Sequence, residues 1–494
     1  MGNKVADLSA VTPIKWMFGA GYFREGGMDG SPQNSSTDVS IRERLTFDLD
    51  VDICVVGGGL AGLTMAREAA LMGASVALLE GRNIGWNASG HNLGTVMPGY
   101  GVAVSDLIER VGFDDARALW SLAQEGADYV RATASGTPGA VMSEGALEVS
   151  KVDAGDELIS RLQTLGEDFG TEVEGWQIDR VRETLKTDRY FHAIHFPKAF
   201  QIDGRRYVHR LAELAEDAGV RIFEDTPVVS IDPAGIRKRV ATPSAKLRCS
   251  HIVFAGNAHL GAPGRRLTAT LLPTWRYVAL TEPLGERLAG AITFRGAVAD
   301  THDIDHFRIV DGDRLLWSSH ETTWQGDPRR YAKRIQSRIA SIFPKLGPVK
   351  IADAWSGMFG QTVHGMPQIG ELQPGLWVLS GFGRQGLNTT AMGGQLVARA
   401  IQQGDDRWRL FSPFELVWAG GAAGRMAGQV FGVWSRGHSA AAGALSRFRE
   451  RARGREQARE RARAARMAEA QARAVGRRSA MPPREGSGGS AGGA

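Results

Sequence analysis

Residues 51–80 read VDICVVGGGLAGLTMAREAALMGASVALLE, a complete strand-turn-helix-strand unit. The apolar, β-branched run at 51–56 predicts a strand, and Gly57-x-Gly59-x-x-Gly62 turns it into a helix rich in alanine and leucine. Gly73 ends that helix, and 75–79 supplies a second strand closed by Glu80. Each glycine has its own task. Gly57 permits the tight turn, Gly59 leaves the backbone bare where a pyrophosphate would meet the first helical amides at Leu60 and Ala61, and Gly62 lets helix and strand pack closely. Glu80 stands where a carboxylate accepts a hydrogen bond from a ribose 2′-hydroxyl, and its charge argues against a 2′-phosphorylated cofactor. A lone GxGxxG is weak evidence. Here strand, helix, second strand and terminal acid all fall at the required spacing, so dinucleotide binding is the first inference.

The chain has 494 residues, enough for two or three domains, and its 43% hydrophobic content excludes broad disorder. Its only cysteines, Cys54 and Cys249, lie in or beside apolar runs, which argues against a disulfide framework, a cysteine metal site or an iron-sulfur cluster. No signal-peptide pattern opens the sequence and no long uncharged apolar run follows, so a reducing, cytoplasmic compartment is expected. Net charge is +5, but residues 447–494 hold 13 Arg against 5 Glu, which leaves the remainder at −3. Only the tail is basic.

A second glycine turn appears far downstream. Residues 376–401, LWVLSGFGRQGLNTTAMGGQLVARAI, run from an apolar strand through Gly381-Phe-Gly383-Arg-Gln-Gly386 into a helix. Between the two turns, 104–170 reads as amphipathic helix, 207–218 as a further helix, and 251–259 as a buried strand ending at Gly256, where another loop can reach a nucleotide. Residues 274–284 and 305–319 with the helix 329–343 predict an antiparallel sheet carrying one helix. A nicotinamide dehydrogenase needs one glycine-rich turn. Two of them separated by a sheet domain suit a large two-part cofactor such as FAD, gripped at its pyrophosphate and again at its ring.

These motifs resemble the D-amino-acid oxidase-like flavoprotein superfamily, and most closely its γ-glutamylputrescine oxidase-like branch. The match runs over about residues 50–410 through DICVVGGGLAGL, Glu80, IGWNASGHNLG (84–94), YVHRLAELAEDAGVRIFEDTPVVSID, HIVFAGNAHL, ALTEPL, WSGMFGQTVHGMPQIG (355–370) and LWVLSGFGRQGL. The resemblance implies an α/β fold in which a Rossmann-like FAD domain (50–105, 200–262 and 355–410) is joined to an α+β substrate domain with a mixed or antiparallel sheet (106–199 and 263–354). Outside these would lie an extension over 1–48, a glycine-striped helical segment over 411–446 and a basic tail over 447–494. It also implies that Ser89, Gly90, His91 and Asn92 lie along the pyrophosphate and ring, that Val228 meets adenine through its backbone, and that Gly383, Arg384, Gln385, Gly386 and Leu387 border the flavin pyrimidine. The physics agrees at the last point. Reduction places negative charge near flavin N1 and O2, and a helix beginning near Leu387 offers unpaired amides there.

Departures from the family pattern matter too. Amino-acid oxidases of the superfamily commonly carry an arginine in the segment matching 355–360, to pair with a substrate carboxylate; this chain has Met358 and Phe359. Ser318 and Ser319 replace a glycine pair frequent in relatives. Arg384 and Arg308 are the remaining guanidinium candidates for a carboxylate clamp, with an ion-paired or solvated arginine as the plain alternative for each. His306, His320 and His364 are candidates to face the substrate, and His306 joins Arg384 and Arg308 as the expected catalytic set. No two histidines have metal-ligand spacing, so no metal is expected. His91 stands where related chains often have arginine; hydrogen bonding to the cofactor and a covalent flavin link are both open.

Gly420, Gly424, Gly428 and Gly432 recur every four residues, which on a helix makes a flat stripe, flanked by Trp418, Met426, Phe431 and Trp434. It either packs on the body or rests on the inner face of a membrane. The Ala/Arg/Glu tail is expected to be solvated, and its negligible aromatic content argues against nucleic acid as a partner. Three functions therefore stand: oxidation of a carbon-nitrogen bond in an amine or amino acid, with dioxygen or another acceptor; the same half-reaction serving a membrane quinone or carrier; or a flavin-bound binding protein with vestigial catalysis.

Overall fold

The computed structural model describes residues 42–136, 141–300 and 305–479. Of the expected extension over 1–48, residues 1–41 lie outside the described residues. Positions 42–48 were expected to belong to the extension, yet they are part of the folded body. Arg42 makes a two-pronged ion pair with Glu216 at 2.8 and 2.7 Å, and Leu45 is fully buried.

Six strands form the sheet that the first glycine turn belongs to, in the order Gln368–Gln373, Leu376–Ser380, His251–Phe254, Ile53–Val56, Val76–Leu79, Arg221–Phe223. All pairs are parallel except the edge hairpin of Gln368–Gln373 with Leu376–Ser380. Ile53–Val56 and Val76–Leu79 are buried at every position, as strands covered on both faces must be. The helices that follow the two glycine turns, Leu60–Leu71 and Gly386–Gln403, pack directly on each other. A Cβ at Gly394 would lie 2.8 Å from the backbone nitrogen of Met65, so this close approach requires glycine. Both glycine turns thereby open on the same side of the molecule.

The second large sheet runs Ile351–Gln361, Leu272–Thr281, Arg314–Thr322, His306–Val310, Ala297–Asp300, Val141–Val149, Ala193–Ile202, Thr95–Val96. It is antiparallel apart from the Ala297–Asp300 pairing with Val141–Val149, and the expected helix lies at Pro328–Ile342. Two expectations need correction. The segment 104–170 is not helical throughout, because Val141–Val149 enters this sheet between two helical stretches. The domain boundaries at 200 and 355 cut through the strands Ala193–Ile202 and Ile351–Gln361, and the one at 105 through the helix Val104–Val111: Thr95–Val96 pairs with Phe200 and Gln201, and Ile351–Gln361 pairs along the whole length of Leu272–Thr281. Backbone hydrogen bonds are shared across those positions, and residues 41–494 form one compact unit.

The C-terminal segment is a single helix, Gly421–Ser479, so the expected division at 446/447 falls inside an unbroken element. The glycine stripe meets the body at Gly428. A Cβ at Gly428 would sit 3.0 Å from the Leu272 side chain, and Thr323 donates through Oγ1 to the Arg425 carbonyl (2.8 Å) and through its amide to Gln429 Oε1 (3.0 Å). Beyond 447 the helix still touches the body: Arg182 grips Glu450 at 2.5 and 3.0 Å, and Arg451 and Arg453 reach Asp188 and Asp153, each at 3.3 Å. From 454 to 467 every residue is exposed. The solvated part of the tail therefore starts later than its composition indicates, because three charge pairs hold the turns before it. Among the described residues no helix is long and apolar enough to cross a membrane.

Candidate functional site

The nucleotide cradle is built almost entirely from local geometry. Gly57 has φ +119°, and a Cβ there would lie 2.5 Å from the amide nitrogen of Gly256; a Cβ on Gly62 would lie 2.1 Å from the Gly57 carbonyl oxygen. Gly59 differs, since a Cβ there meets only Ser89 Oγ, at 3.0 Å. The Leu60–Leu71 helix has no cap from its N-cap residue and no acid in its first turn; the Leu60 amide donates to Ser89 Oγ at 3.1 Å, and the positive dipole end faces an anion. Glu80 accepts from the Gly58 amide at 2.7 Å and the Arg82 amide at 2.9 Å. Burial raises its pKa, against the pull of these two amides. The Thr226 amide donates to the Glu80 carbonyl, which lays the segment carrying Val228 beside this acid.

The 84–94 loop joins the cradle to the large sheet. Ser89 Oγ accepts from the Leu60 amide at 3.1 Å, and Asn92 spans its loop by accepting from the Gly94 amide and donating to the Ser89 carbonyl. A Cβ at Gly90 would lie 2.2 Å from the Gly85 carbonyl oxygen, so the loop closes tightly on itself. His91 donates through Nδ1 to the Asn87 carbonyl at 2.9 Å. Asn87 was not singled out from sequence, yet its side-chain amide exchanges two hydrogen bonds, both 3.0 Å, with the backbone of Met358. At the second turn, Gly383 has φ +61° and neither it nor Gly386 has an atom near its Cβ direction. The Gly386–Gln403 helix starts without a side-chain cap or an acid in its first turn. Open space, bare amides and a dipole end are what a flavin pyrimidine requires. The two helix ends together fit FAD.

Beside the second turn lies a cavity of about 1340 Å³. Its walls come from Thr95, from Arg276 and Glu321 on neighbouring strands, from His306, from Arg384 and Gln385, and from the Gly421–Ser479 helix. Glu321 is the electrostatic centre. It is directly opposite Arg276 across the strands, 3.6 Å from that guanidinium, and it takes Nε and Nη2 of Arg384 at 2.7–3.2 Å. Burial alone would raise the Glu321 pKa, but Arg384 and Arg276, with Arg436 behind them, hold it below the ordinary value. Arg276 is anchored in turn by donating to Ser318 Oγ at 2.5 Å. The serine that replaces the family's glycine is therefore a fully buried acceptor for a cavity arginine.

The expected catalytic set separates here. Arg384 reaches the cavity but is held by Glu321. His306 also lines it and shares a 3.0 Å hydrogen bond with Thr95. Burial, then the charges of Arg276 and Arg308, drive His306 down to about 3, so it is neutral throughout the physiological range. Arg308 is not among the cavity-lining residues and supplies no clamp. It is buried under the sheet, where Nη2 donates to the Ile202 carbonyl at 3.1 Å and Nη1 approaches the Met142 sulfur, and burial pulls it down to about 10. His320 and His364 lie outside the lining as well. Sequence reading missed Arg276 and Glu321, and weighed Arg436 only as a contact to lipid head groups. Arg276 and Glu321 are cross-strand neighbours that only the register brings together, and Arg436 lies on the terminal helix.

The fold and the paired glycine cradles define a flavoprotein of the dinucleotide-binding α/β class. A family model for DAO, FAD dependent oxidoreductase, matches residues 52–400, and the chain belongs to that family. Two similar proteins are the gamma-glutamylputrescine oxidoreductase of Escherichia coli K12, 27% identical over 378 residues (75% of this chain and 88% of that protein), and the probable oxidoreductase OrdL of Haemophilus influenzae, 26% identical over 377 residues (73% and 85%). Among solved structures, glycine oxidase from Geobacillus kaustophilus superposes with a TM-score of 0.61 at 22% identity, covering 75% of this chain and 99% of that one. The Gly421–Ser479 helix lies beyond the residues that the family model matches.

Proposed function

We propose that this protein oxidises a carbon-nitrogen bond of an amine or amino acid, a γ-glutamyl amine included, to an imine that water then hydrolyses. The observation that carries this reading is the charged cavity opening directly beside the uncapped N-terminus of the Gly386–Gln403 helix. FAD, when bound, supplies the acceptor for the hydride. The residues around it do the rest. Gly57, Gly59, Gly62 and Glu80 hold the ADP half; Ser89, Gly90, His91 and Asn92 line its path; Gly383, Gln385, Gly386 and Leu387 place amides where negative charge collects. The carboxylate of Glu321, locked between two guanidiniums, and the neutral His306 are both poor proton acceptors. An alkylammonium, with a pKa of about 10, does not transfer its proton to either, so the substrate enters as the free amine.

Anaerobic mixing with a panel of amines, amino acids and γ-glutamyl amines, followed by flavin absorbance, tests this. Bleaching by at least one amine is expected, at a rate that rises with pH towards the amine's own pKa. Arg384→Ala frees Glu321 from its closest partner and is expected to slow bleaching about tenfold, the equivalent of roughly 1.4 kcal/mol. A flavin that no amine reduces would leave the vestigial, flavin-bound binding protein in its place.

A second reading concerns the electron acceptor. Trp418, Met426, Val430, Phe431 and Trp434 are each more than 60% exposed on the C-terminal helix and its approach, and Phe431 and Trp434 also border the cavity. An apolar face with aromatic anchors suits contact with a lipid surface, where a quinone or carrier would take electrons instead of dioxygen. Otherwise the protein works as a cytoplasmic oxidase. Flotation with vesicles of phosphatidylglycerol and phosphatidylethanolamine checks it: the intact chain is expected to float, and Phe431→Ser with Trp434→Ser to remain in solution. Failure of the intact chain to float removes this reading.

A further inference from the structure

Among the described residues, the arginines lining the cavity are matched to acids except for Arg436. Arg161 is held by Glu148 through two 2.7 Å hydrogen bonds, Arg384 and Arg276 share Glu321, and His306 is bonded to Thr95. Arg436, projecting from the C-terminal helix into the same cavity, has its Nη1 buried with no hydrogen-bond partner among the described residues. A buried guanidinium N–H without an acceptor costs its full desolvation, which a fold does not tolerate idly and which a bound oxyanion relieves. The surroundings select the sign. Arg276 and Arg384 stand with Arg436 around the Glu321 carboxylate, so the donors nearest the open N–H are themselves cationic. Gly432, one turn earlier on the helix, lies beside the guanidinium, its Cβ direction 3.4 Å from Nη1.

We infer that Arg436 is a specificity-determining residue that binds the carboxylate of the substrate. It would supply from the terminal helix the cation that Met358 and Phe359 do not supply from the Ile351–Gln361 strand. The identity of the ligand rests on the amine-oxidation reading, but its negative charge does not. Because the helix lies outside the family-matched residues, the anion contact belongs to this chain's own extension. The substrate is then an amine that carries a carboxylate at its far end, placed with the amine towards the Gly386–Gln403 helix and the carboxylate towards the Gly421–Ser479 helix.

The test uses the FAD-loaded, full-length protein at constant ionic strength, titrated with propionate, propionamide and inorganic phosphate while the flavin spectrum and melting temperature are followed. Propionate is expected to perturb the flavin and raise the melting temperature, and propionamide to do neither. Arg436→Gln should weaken propionate binding about tenfold or more, whereas Arg436→Lys, which keeps the charge but not the forked geometry, should lose less. Flavin content should be unchanged in both, since the guanidinium nitrogen in question bonds to nothing in the fold. Propionate binding as tight in Arg436→Gln as in the parent overturns the assignment, as does flavin loss in that variant, which would mark a structural role. Tighter binding of phosphate than of propionate would replace the carboxylate with a phosphorylated ligand. Intact, Arg436-dependent propionate binding in a protein that no amine reduces would overturn the reaction and leave the anion site standing.

Discussion

Gly59→Val is expected to yield a folded, colourless protein. Gly59 has φ −83° and ψ 178°, values valine adopts without strain, and a Cβ there meets nothing closer than the Ser89 hydroxyl at 3.0 Å. The branched side chain instead crowds the N-terminus of the Leu60–Leu71 helix beside Ser89, where a pyrophosphate must come to be bound. The same substitution at Gly57 or Gly62 would drive a Cβ to 2.5 or 2.1 Å from backbone and disrupt the fold, so position 59 separates binding from folding. FAD affinity should drop by a factor of about 100 or more, equivalent to roughly 2.7 kcal/mol, because the helix N-terminus and its dipole lose their ligand. Absorbance at the flavin band per mole of protein, with circular dichroism as the control for folding, measures both. Yellow protein with one flavin per chain would remove the pyrophosphate from this turn.

The cradle was legible in the sequence because its parts are local. A turn, a helix start and a terminal acid at fixed spacing determine where Gly57, Gly59, Gly62 and Glu80 come to lie, whatever the rest of the chain does. The substrate side was legible only in part. Arg384 was found because it sits inside the second turn, but its partner Glu321 is brought to it by the packing of a distant strand, and no local pattern announces that. Arg308 and His306 are two apart on one strand and face the same way, so sequence alternation treats them alike. The structure does not: a shift of roughly 6–7 Å along the strand carries Arg308 past the cavity and under Ile202. The strand Val141–Val149 escaped for a similar reason, since Gly145 interrupts it with φ +81° and its pairing partners lie far away in the chain. What the sequence composition misjudged most was the tail. Alanine and arginine without large apolar residues describe a solvated helix, but Glu450, Arg451 and Arg453 meet opposite charges on the body.

Shortening the chain from its C-terminus should therefore have two sharply different outcomes. A chain ending at 453 keeps every described contact of the terminal helix with the body and should match the parent in flavin content, melting temperature and turnover. One ending at 446 loses the pairs from Glu450, Arg451 and Arg453, which are partly or largely exposed and worth about 0–1 kcal/mol each, so a small drop in melting temperature and unchanged turnover are expected. A chain ending at 419 loses Gly424, Gly428, Gln429, Gly432, Arg436 and Ser439, which form one wall of the cavity, and exposes Leu272 and Thr323, on which the helix rests. The flavin should stay, because its cradle at 57–62 and 383–387 is untouched. The reaction should not: water enters from the open side, and the substrate loses the surface that orients it. A fall of about 100-fold in kcat/KM, or roughly 2.7 kcal/mol, is expected, with most of it in KM if the missing wall serves binding and in kcat if it serves exclusion of water. Turnover at the parent's level in the chain ending at 419 would show that the helix lies over the cavity without taking part. Loss of activity already at 446 would instead mean that the three outer ion pairs hold the whole helix in place, and that the wall is only as firm as its last charged turn.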